Sequence, residues 1–264
     1  MPLLNIKDYV KQWKEEIAQE VKNIDYQPPK LVIFQIGNNE ASNRYVRNKK
    51  KDCEEVGIQC DIRKFEDGVP QYEIARQIAS AQCAYDGVML QLPVPRGYNE
   101  NYLISLIDKH KDVDGLTSQS NFIPCTPLGI MKYLEHCNFD LEGKNVVICG
   151  RSEIVGKPLT KLMQDKNATV TVLHSRSRNH QDYYALADLI VSAVGKANFL
   201  DCANINVPVI DVGINFVDGK LVGDCCNTDG KEVTPVPGGV GLLTRCALLE
   251  NTLAAALEER KYYD

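Results

Sequence analysis

No uncharged apolar stretch in this 264-residue sequence approaches the roughly 20 residues needed to cross a bilayer. The opening MPLLNIKDYVKQWKEE turns amphipathic at once and lacks an apolar core followed by a small-residue cleavage site. A cytoplasmic protein without a membrane partner is expected. A basic domain is also missing. Lys and Arg number 30 against 35 Asp and Glu, for a net charge of −5, so the basic run NRYVRNKKK sits in an acidic chain. Duplex binders carry a basic face or domain, and no nucleic-acid partner is expected here. Internal repeats and low-complexity tracts are absent. Cysteine is not scarce, with ten residues, but the spacing is irregular, and Cys83, Cys149 and Cys246 fall in strand-like or helical runs. A chain this long needs no staples, so reduced, mostly buried thiols are the simpler reading. Cys225–Cys226 has no second cysteine pair or nearby histidine to complete a zinc site, and no metal is expected.

What is present is an alternation of helical and strand-like runs. IKDYVKQWKEEIAQEVKNI reads as an amphipathic helix, KLVIFQIG as a buried strand and IQCDIRKF as a second strand. QYEIARQIASAQ and ENYLISLIDKH read as helices around the short strand DGVMLQLPVP, and PCTPLGIMKYLEHC as a helix opened by Pro127. A second unit begins near Lys144, with KNVVICG, ATVTVLHS, DLIVSAVG and VPVIDVG as strands and GKPLTKLMQDKN and DYYALA as helices. Strands alternating with helices imply an α/β fold with mostly parallel sheets. Two α/β domains are expected, 1–124 and 125–241. The terminal run 242–264 has Leu242, Leu243, Cys246, Leu249, Leu253, Ala256 and Leu257 near a 3.6-residue period and packs back on the first domain as a helix.

The basic run lies in EASNRYVRNKKKDCEEVG, which is free of proline and stops at Gly57. Tyr45 and Lys49 are four apart, so they share a helix face with Cβ atoms roughly 5–6 Å apart. Val46, Lys50 and Cys53 mark another face. Tyr45 and Lys49 then point together into a cleft, while the other charges face water.

KNVVICGRSEIVGKPLTKLM places Gly150 after a strand and Gly156 at the entry to a helix. Gly150 allows a tight turn beside a ligand, and the free N–H groups of a helix begun by Gly156 receive a pyrophosphate. The spacing is GRSxxxG, so the GxGxxG fingerprint fails. On this segment alone a dinucleotide site and an ordinary strand–turn–helix both stay open. The next strand, ATVTVLHSRSR, adds a discriminating feature. An NAD-preferring fold puts an acid at this strand end for the ribose 2′-OH. Here Ser175 and Arg176 stand there, and with Arg151 they suit a 2′-phosphate, which favours NADP and makes the second domain Rossmann-like.

Together, ASNRYVRNKKKDCEEVGI, GVMLQLPVP, KDVDGLT, FIPCTPLGI, VVICGRSEIVGKPL, ATVTVLHSR, AVGKANF, VIDVGIN and VTPVPGGVG resemble the bifunctional methylenetetrahydrofolate dehydrogenase/cyclohydrolase family, in family order and over nearly the whole chain. The resemblance implies a folate-binding catalytic domain followed by an NADP-binding domain, tetrahydrofolate one-carbon derivatives as substrates and a homodimer. It matches Lys49 to a catalytic lysine, Tyr45 to a tyrosine against the folate rings, Gln91 to a glutamine orienting the lysine and Asp114 to a carboxylate holding the pterin. Pro237, Gly238 and Gly239 match a loop that closes over folate. Gly150, Arg151, Ser152, Gly156, Ser175, Arg176, Gly195 and Ile214 match the nucleotide side. These roles suit the chemistry. An aspartate grips an amino-pyrimidinone edge through charge-assisted hydrogen bonds, and a tyrosine covers an aromatic face. A lysine amine serves as a base where desolvation or a neighbouring cation favours its neutral form. Taken singly, Tyr45 reads as a packing residue, Gln91 as a strand-end polar group and Asp114 as a turn former before Gly115. His110, His136, His174 and His180 read as helix-end, loop or surface residues.

Relative to the family pattern the chain is shorter after KDVDGLTSQS and between LVGD and TPVPGG, and Leu242-Leu243 replaces the common Pro-Met. None of these departures removes Lys49, Gln91 or Asp114. The competing readings are a monofunctional dehydrogenase, NAD-linked or not, and a non-catalytic folate or nucleotide sensor. The first is expected to lack the lysine or to carry an acid at the ribose position, and the second has no need of the complete reactive set.

Overall fold

The structure, a computed structural model, describes residues 3, 5–25 and 27–260. Residues 261–264 of the expected terminal helix lie outside the described residues, as do 1, 2, 4 and 26. The elements run α1 (Ile6–Lys22), β1 (Lys30–Ile36), α2 (Glu40–Val56), β2 (Gln59–Phe65), α3 (Gln71–Ala81), β3 (Gly87–Leu90), α4 (Glu100–Ser105) and α5 (Cys125–His136). They continue with β4 (Asn145–Cys149), α6 (Gly156–Asp165), β5 (Thr169–Leu173), α7 (His180–Tyr184), β6 (Leu189–Ser192), β7 (Leu200–Asp201) and β8 (Val209–Asp211). Last come β9 (Asn215–Val217), β10 (Lys220–Val222), β11 (Cys225–Cys226) and α8 (Val240–Arg260). The chain divides into two compact units, Gln12–Cys125 with Arg245–Asp264 and Met1–Lys11 with Thr126–Thr244.

In the first unit the sheet has the order β2-β1-β3, all parallel. β1 is central, and its run from Leu31 to Ile36 is buried on both faces, as a covered parallel strand requires. Val32, Phe34, Val88 and Leu90 pack on Ile74 and Ile78 of α3 and on Leu103 of α4. The helix expected over ENYLISLIDKH ends at Ser105. The reason is local: the Gln82 amide donates to Leu106 O at 2.6 Å and accepts from Asp108 N at 2.6 Å, which pulls the chain into a turn. Cys83 lies just beyond α3 and is exposed, unlike the buried thiol expected there.

α8 departs from the expected single stripe. Ala247, Leu248, Asn251, Thr252 and Ala255 are buried as well as Cys246, Leu249, Leu253 and Ala256, whereas Leu257 is exposed. A helix apolar nearly all round is a core helix. By length and composition it also passes for a membrane-crossing segment, yet most of it is buried in protein. Asn251 is the polar group that locks it down, donating to Val113 O at 2.9 Å and Ile123 O at 3.0 Å.

In the second unit the parallel sheet has the order β5-β4-β6-β8. The first strand in sequence, β4, thus lies between the next two, and the winding direction reverses between β4 and β6. Open α/β sheets bind ligands beyond the carboxyl ends of the strands at such a switch point. Val147, Cys149, Leu173, Ile190 and Val209 form the core on one face with Tyr184, Leu200 and Cys202. Four short strands were not anticipated. β7 pairs with β11, and β9 pairs with β10 as a hairpin turned by Asp218 and Gly219, both at positive φ.

Candidate active site

α2 begins at Asn39, whose side chain accepts the Ser42 N–H, and ends at Gly57 in the left-handed region at φ +86°. Its buried residues are Asp52 and a stripe of Ser42, Val46, Lys49, Cys53 and Val56, at spacings of four, three, four and three. Lys49 therefore lies on the same apolar stripe as Val46 and Cys53, in the place expected for Lys50. Lys50 is half-buried and turned one step round the helix toward Glu54, 3.9 Å away. Arg44, Arg47 and Lys51 face solvent.

Lys49 is 3% exposed. It donates to Gln91 Oε1 at 3.3 Å and lies 3.4 Å from Met89 Sδ and 4.9 Å from the centroid of the Tyr45 ring. No ion pair joins it to a carboxylate among the described residues. Gln91 follows β3; its N–H extends the β1 pairing to Phe34 O at 2.8 Å, and its amide donates to Leu92 O at 2.7 Å. That second bond fixes which way the amide faces, so its oxygen is left for the amine. Because β1 lies between β2 and β3, Gln91 stands at the switch point of this sheet too.

Asp114 lies in the loop before Cys125 and is half-buried. Its carbonyl accepts the Cys125 N–H at 3.3 Å. Gly115 allows this closure: a Cβ there would lie 2.6 Å from Pro124 Cα, and φ is +69°. Burial pushes the Tyr45 phenol well above its usual range, with the Asp114 charge as the next cause. The Cys125 thiol is likewise pushed up by burial and then by Asp114. Tyr45, Lys49, Gln91 and Asp114 are thus assembled in one unit. Sequence reasoning missed Asp112, fully buried two residues before Asp114, whose carboxylate accepts Leu116 N at 3.1 Å and Thr117 N at 2.7 Å and holds the loop. Burial raises its pKa against the pull of those bonds. It also missed Asp52, buried and bracketed by Lys14 at 2.6 Å and Arg245 at 2.7 Å.

The nucleotide-side residues gather in the second unit. Gly150 leaves β4 at φ +118°, and a Cβ there would lie 2.3 Å from Ala193 O; a Cβ on Gly156 would lie 2.3 Å from Gly150 O. Glycine at 150 lets the turns after β4 and β6 touch, and glycine at 156 lets the head of α6 close on the Gly150 turn. The first-turn N–H groups of α6 are not free as expected. Ser152 Oγ accepts from Val155 N at 3.2 Å and Gly156 N at 3.4 Å, Ser152 O accepts from Lys157 N at 3.0 Å, and Pro158 has no N–H. An anion there meets the positive helix end and the exposed Arg151. Ser175 and Arg176 follow β5 and are exposed in a turn where His174 Nδ1 accepts Arg176 N at 3.1 Å. No carboxylate stands at that strand end. Gly195 and Ile214 are exposed after β6 and β8. Pro237, Gly238 and Gly239 precede α8, with Gly238 at φ +100° and no room for a side chain on Gly239, where a Cβ would lie 2.3 Å from Pro235 O.

A family model described as the tetrahydrofolate dehydrogenase/cyclohydrolase catalytic domain matches residues 4–114, and one described as the NAD(P)-binding domain of the same family matches residues 124–260. The bifunctional protein FolD of Macrococcus caseolyticus is 40% identical over 273 residues, covering 96% of this chain and 97% of its own. That of Acholeplasma laidlawii is 42% identical over 250 residues, covering 88% and 90%. Among solved structures, the bifunctional FolD methylenetetrahydrofolate dehydrogenase/cyclohydrolase of Campylobacter jejuni superposes with a TM-score of 0.90 at 35% identity, over 97% of this chain and 98% of that one. The Trypanosoma brucei enzyme complexed with NADP cofactor and inhibitor gives 0.91 at 29% identity, over 98% and 99%.

Lys49 occupies a core position at the cost of desolvating a polar head, so Lys49→Met, similar in length and apolar, is expected to leave the melting temperature unchanged or raise it by about 2–4 °C. A melting temperature several degrees lower would mean that the amine stabilises the fold.

Proposed function

The chain belongs to the tetrahydrofolate dehydrogenase/cyclohydrolase family, and on that premise we propose that it oxidises 5,10-methylenetetrahydrofolate with NADP⁺ to the 5,10-methenyl form and hydrolyses that to 10-formyltetrahydrofolate. NADP⁺, when bound, supplies the hydride acceptor. The lone pairs of the folate nitrogens stabilise the cation formed as the bridging CH₂ loses hydride, so the protein's task in this step is alignment. Asp114 grips the amino-pyrimidinone edge of the pterin, and Tyr45 covers its ring face. Gly150, Arg151, Ser152, Gly156, Ser175, Arg176, Gly195 and Ile214 hold the dinucleotide, with the arginines and Ser175 on the 2′-phosphate. The donor set fits an NADP phosphate: cations and a hydroxyl, with no carboxylate at the end of β5.

Hydrolysis needs a proton carrier. Water adds to the methenyl carbon and one of its protons passes to solvent; Lys49 takes the other from the adduct and returns it to the nitrogen whose bond to that carbon breaks as the formyl C=O forms. The observation that carries this reading is the buried Lys49 amine, held by Gln91 without a carboxylate to fix its charge. The complete set Tyr45, Lys49, Gln91 and Asp114 favours catalysis over mere folate binding. A homodimer through the open edge of the four-stranded sheet, in the cytoplasm, completes the proposal.

With methenyltetrahydrofolate supplied directly, Lys49→Met is expected to lower the hydrolysis rate by roughly 10²-fold or more, the scale of a positioned acid–base group. Decay of the methenyl absorbance measures it, and a wild-type rate after subtraction of the spontaneous reaction would remove Lys49 from the chemistry. For the first step, NADPH formation at 340 nm is expected to show a higher kcat/KM with NADP⁺ than with NAD⁺. Arg151→Ala should raise the KM for NADP⁺ more than it lowers kcat, because phosphate contacts are largely uniform binding. Equal or better use of NAD⁺ would overturn the cofactor assignment.

A further inference from the structure

Asp224 is fully buried and lies just before β11, in a stretch that sequence patterns left without a role. Its Oδ2 accepts Val194 N at 2.8 Å, Gly195 N at 3.1 Å and the Ser192 hydroxyl at 3.2 Å. Its Oδ1 accepts Lys196 N at 2.8 Å and the Asn215 amide at 3.0 Å. Three consecutive N–H groups converging on one anion form the kind of concavity that elsewhere cradles a phosphate. Here the anion is internal. No cation pairs with Asp224 among the described residues, so backbone and side-chain dipoles alone face its charge.

The carboxylate is itself held by another. Asp211, 3% exposed at the end of β8, accepts Asp224 N at 2.9 Å, Gly213 N at 2.9 Å and Cys225 N at 2.9 Å. Glycine is required around both acids. A Cβ on Gly213 would lie 2.2 Å from Asp224 Oδ1, and one on Gly223 would lie 1.9 Å from Asp211 Oδ2. The segments tied together are the turn after β6, which carries Gly195 and touches the Gly150 turn through Ala193, and the start of β9, which follows Ile214.

We infer that Asp224 is the positioning residue of the nucleotide site: it substitutes an internal anion for solvent beneath the Val194–Lys196 turn and fixes that turn and Asn215 in the shape that receives the dinucleotide. The inference rests on reading this unit as the NADP site. Asp224 does not touch the nucleotide; it acts through the backbone it holds.

Asp224→Asn keeps the volume and turns one acceptor oxygen into a donor facing other donors. Hydrogen exchange followed by mass spectrometry should show faster exchange at Val194–Lys196, with β4 as protected as in wild type. The Kd for NADP⁺, read from quenching or enhancement on titration, should rise about tenfold or more, equivalent to about 1.4 kcal/mol, while the Kd for folate changes less than about twofold. Loosening of the turn with an unchanged nucleotide Kd, or unchanged exchange, would overturn the inference alone. A wild-type protein that binds no NADP⁺ would overturn the functional reading and the inference with it. Should Asp224→Asn fail to fold, Asn215→Ala and Ser192→Ala each remove one partner of the carboxylate. Each should raise the nucleotide Kd about threefold by weakening one charge-assisted bond, and no rise in either would also overturn the inference.

Discussion

Lys49 carries its amine into the interior of the first unit without an acid to meet it, and much of that unit is arranged around this fact. A buried charge or a buried amine costs several kcal/mol unless polar partners replace water. The partners supplied are a glutamine oxygen, a thioether and an aromatic face, none of which is ionised. The acid nearest in sequence, Asp52, is one helical turn away and also buried, but Lys14 and Arg245 occupy both of its oxygens. α2 thus bears an acid and a base that are kept from neutralising each other. The same ion pairs tie α1 and α8 to α2, and they hold the helix at a fixed rotation about its axis. The Lys49 side chain therefore points at the end of β3 without needing to be anchored by its own charge.

The second unit has no such amine among its described buried groups and repeats what Asp112 does in the first. Its buried groups are carboxylates, Asp211 and Asp224, and their compensation comes from backbone N–H groups. In both units the polar cluster stands at the carboxyl ends of parallel strands, beside the point where the sheet order reverses. There, two neighbouring turns diverge and backbone donors and acceptors run out of ladder partners. The consequence differs: an uncompensated base suits proton transfer, whereas a compensated acid stiffens a loop without adding reactivity.

Much of this was legible in the sequence because it follows from periodicity and from residues with few alternatives. The buried β1, the Gly57 stop of α2, and Gly150 and Gly156 ahead of and at the start of α6 all occur as read. The rotation of α2 was read a step off. Spacings of four and three fit Lys50 between Val46 and Cys53 as well as three and four fit Lys49, and it is the packing that buries Lys49 on that stripe. The hairpin over NFVDGKLV carries its own mark, an Asp-Gly pair between apolar residues, but its strands of three residues each are too short for alternation to show. Asp211 and Asp224 were not legible as a pair. Thirteen positions separate them, and nothing local says that an acid after a strand will face N–H groups rather than water. Ser152 shows the same limit, since its hydroxyl turns inward to cap α6.

Catalysis of the hydrolytic step depends on an amine whose charge no neighbouring carboxylate fixes. The most direct measurement is the pH dependence of methenyl hydrolysis in Gln91→Glu, which places a carboxylate at the position of the oxygen that now accepts from Lys49. An opposite charge at that distance favours the ammonium form, so the base needed for water addition becomes available only at higher pH. A lower rate at neutral pH and a rising limb displaced to higher pH relative to wild type are expected. A Gln91→Glu enzyme with the wild-type rate and an unshifted profile would contradict it.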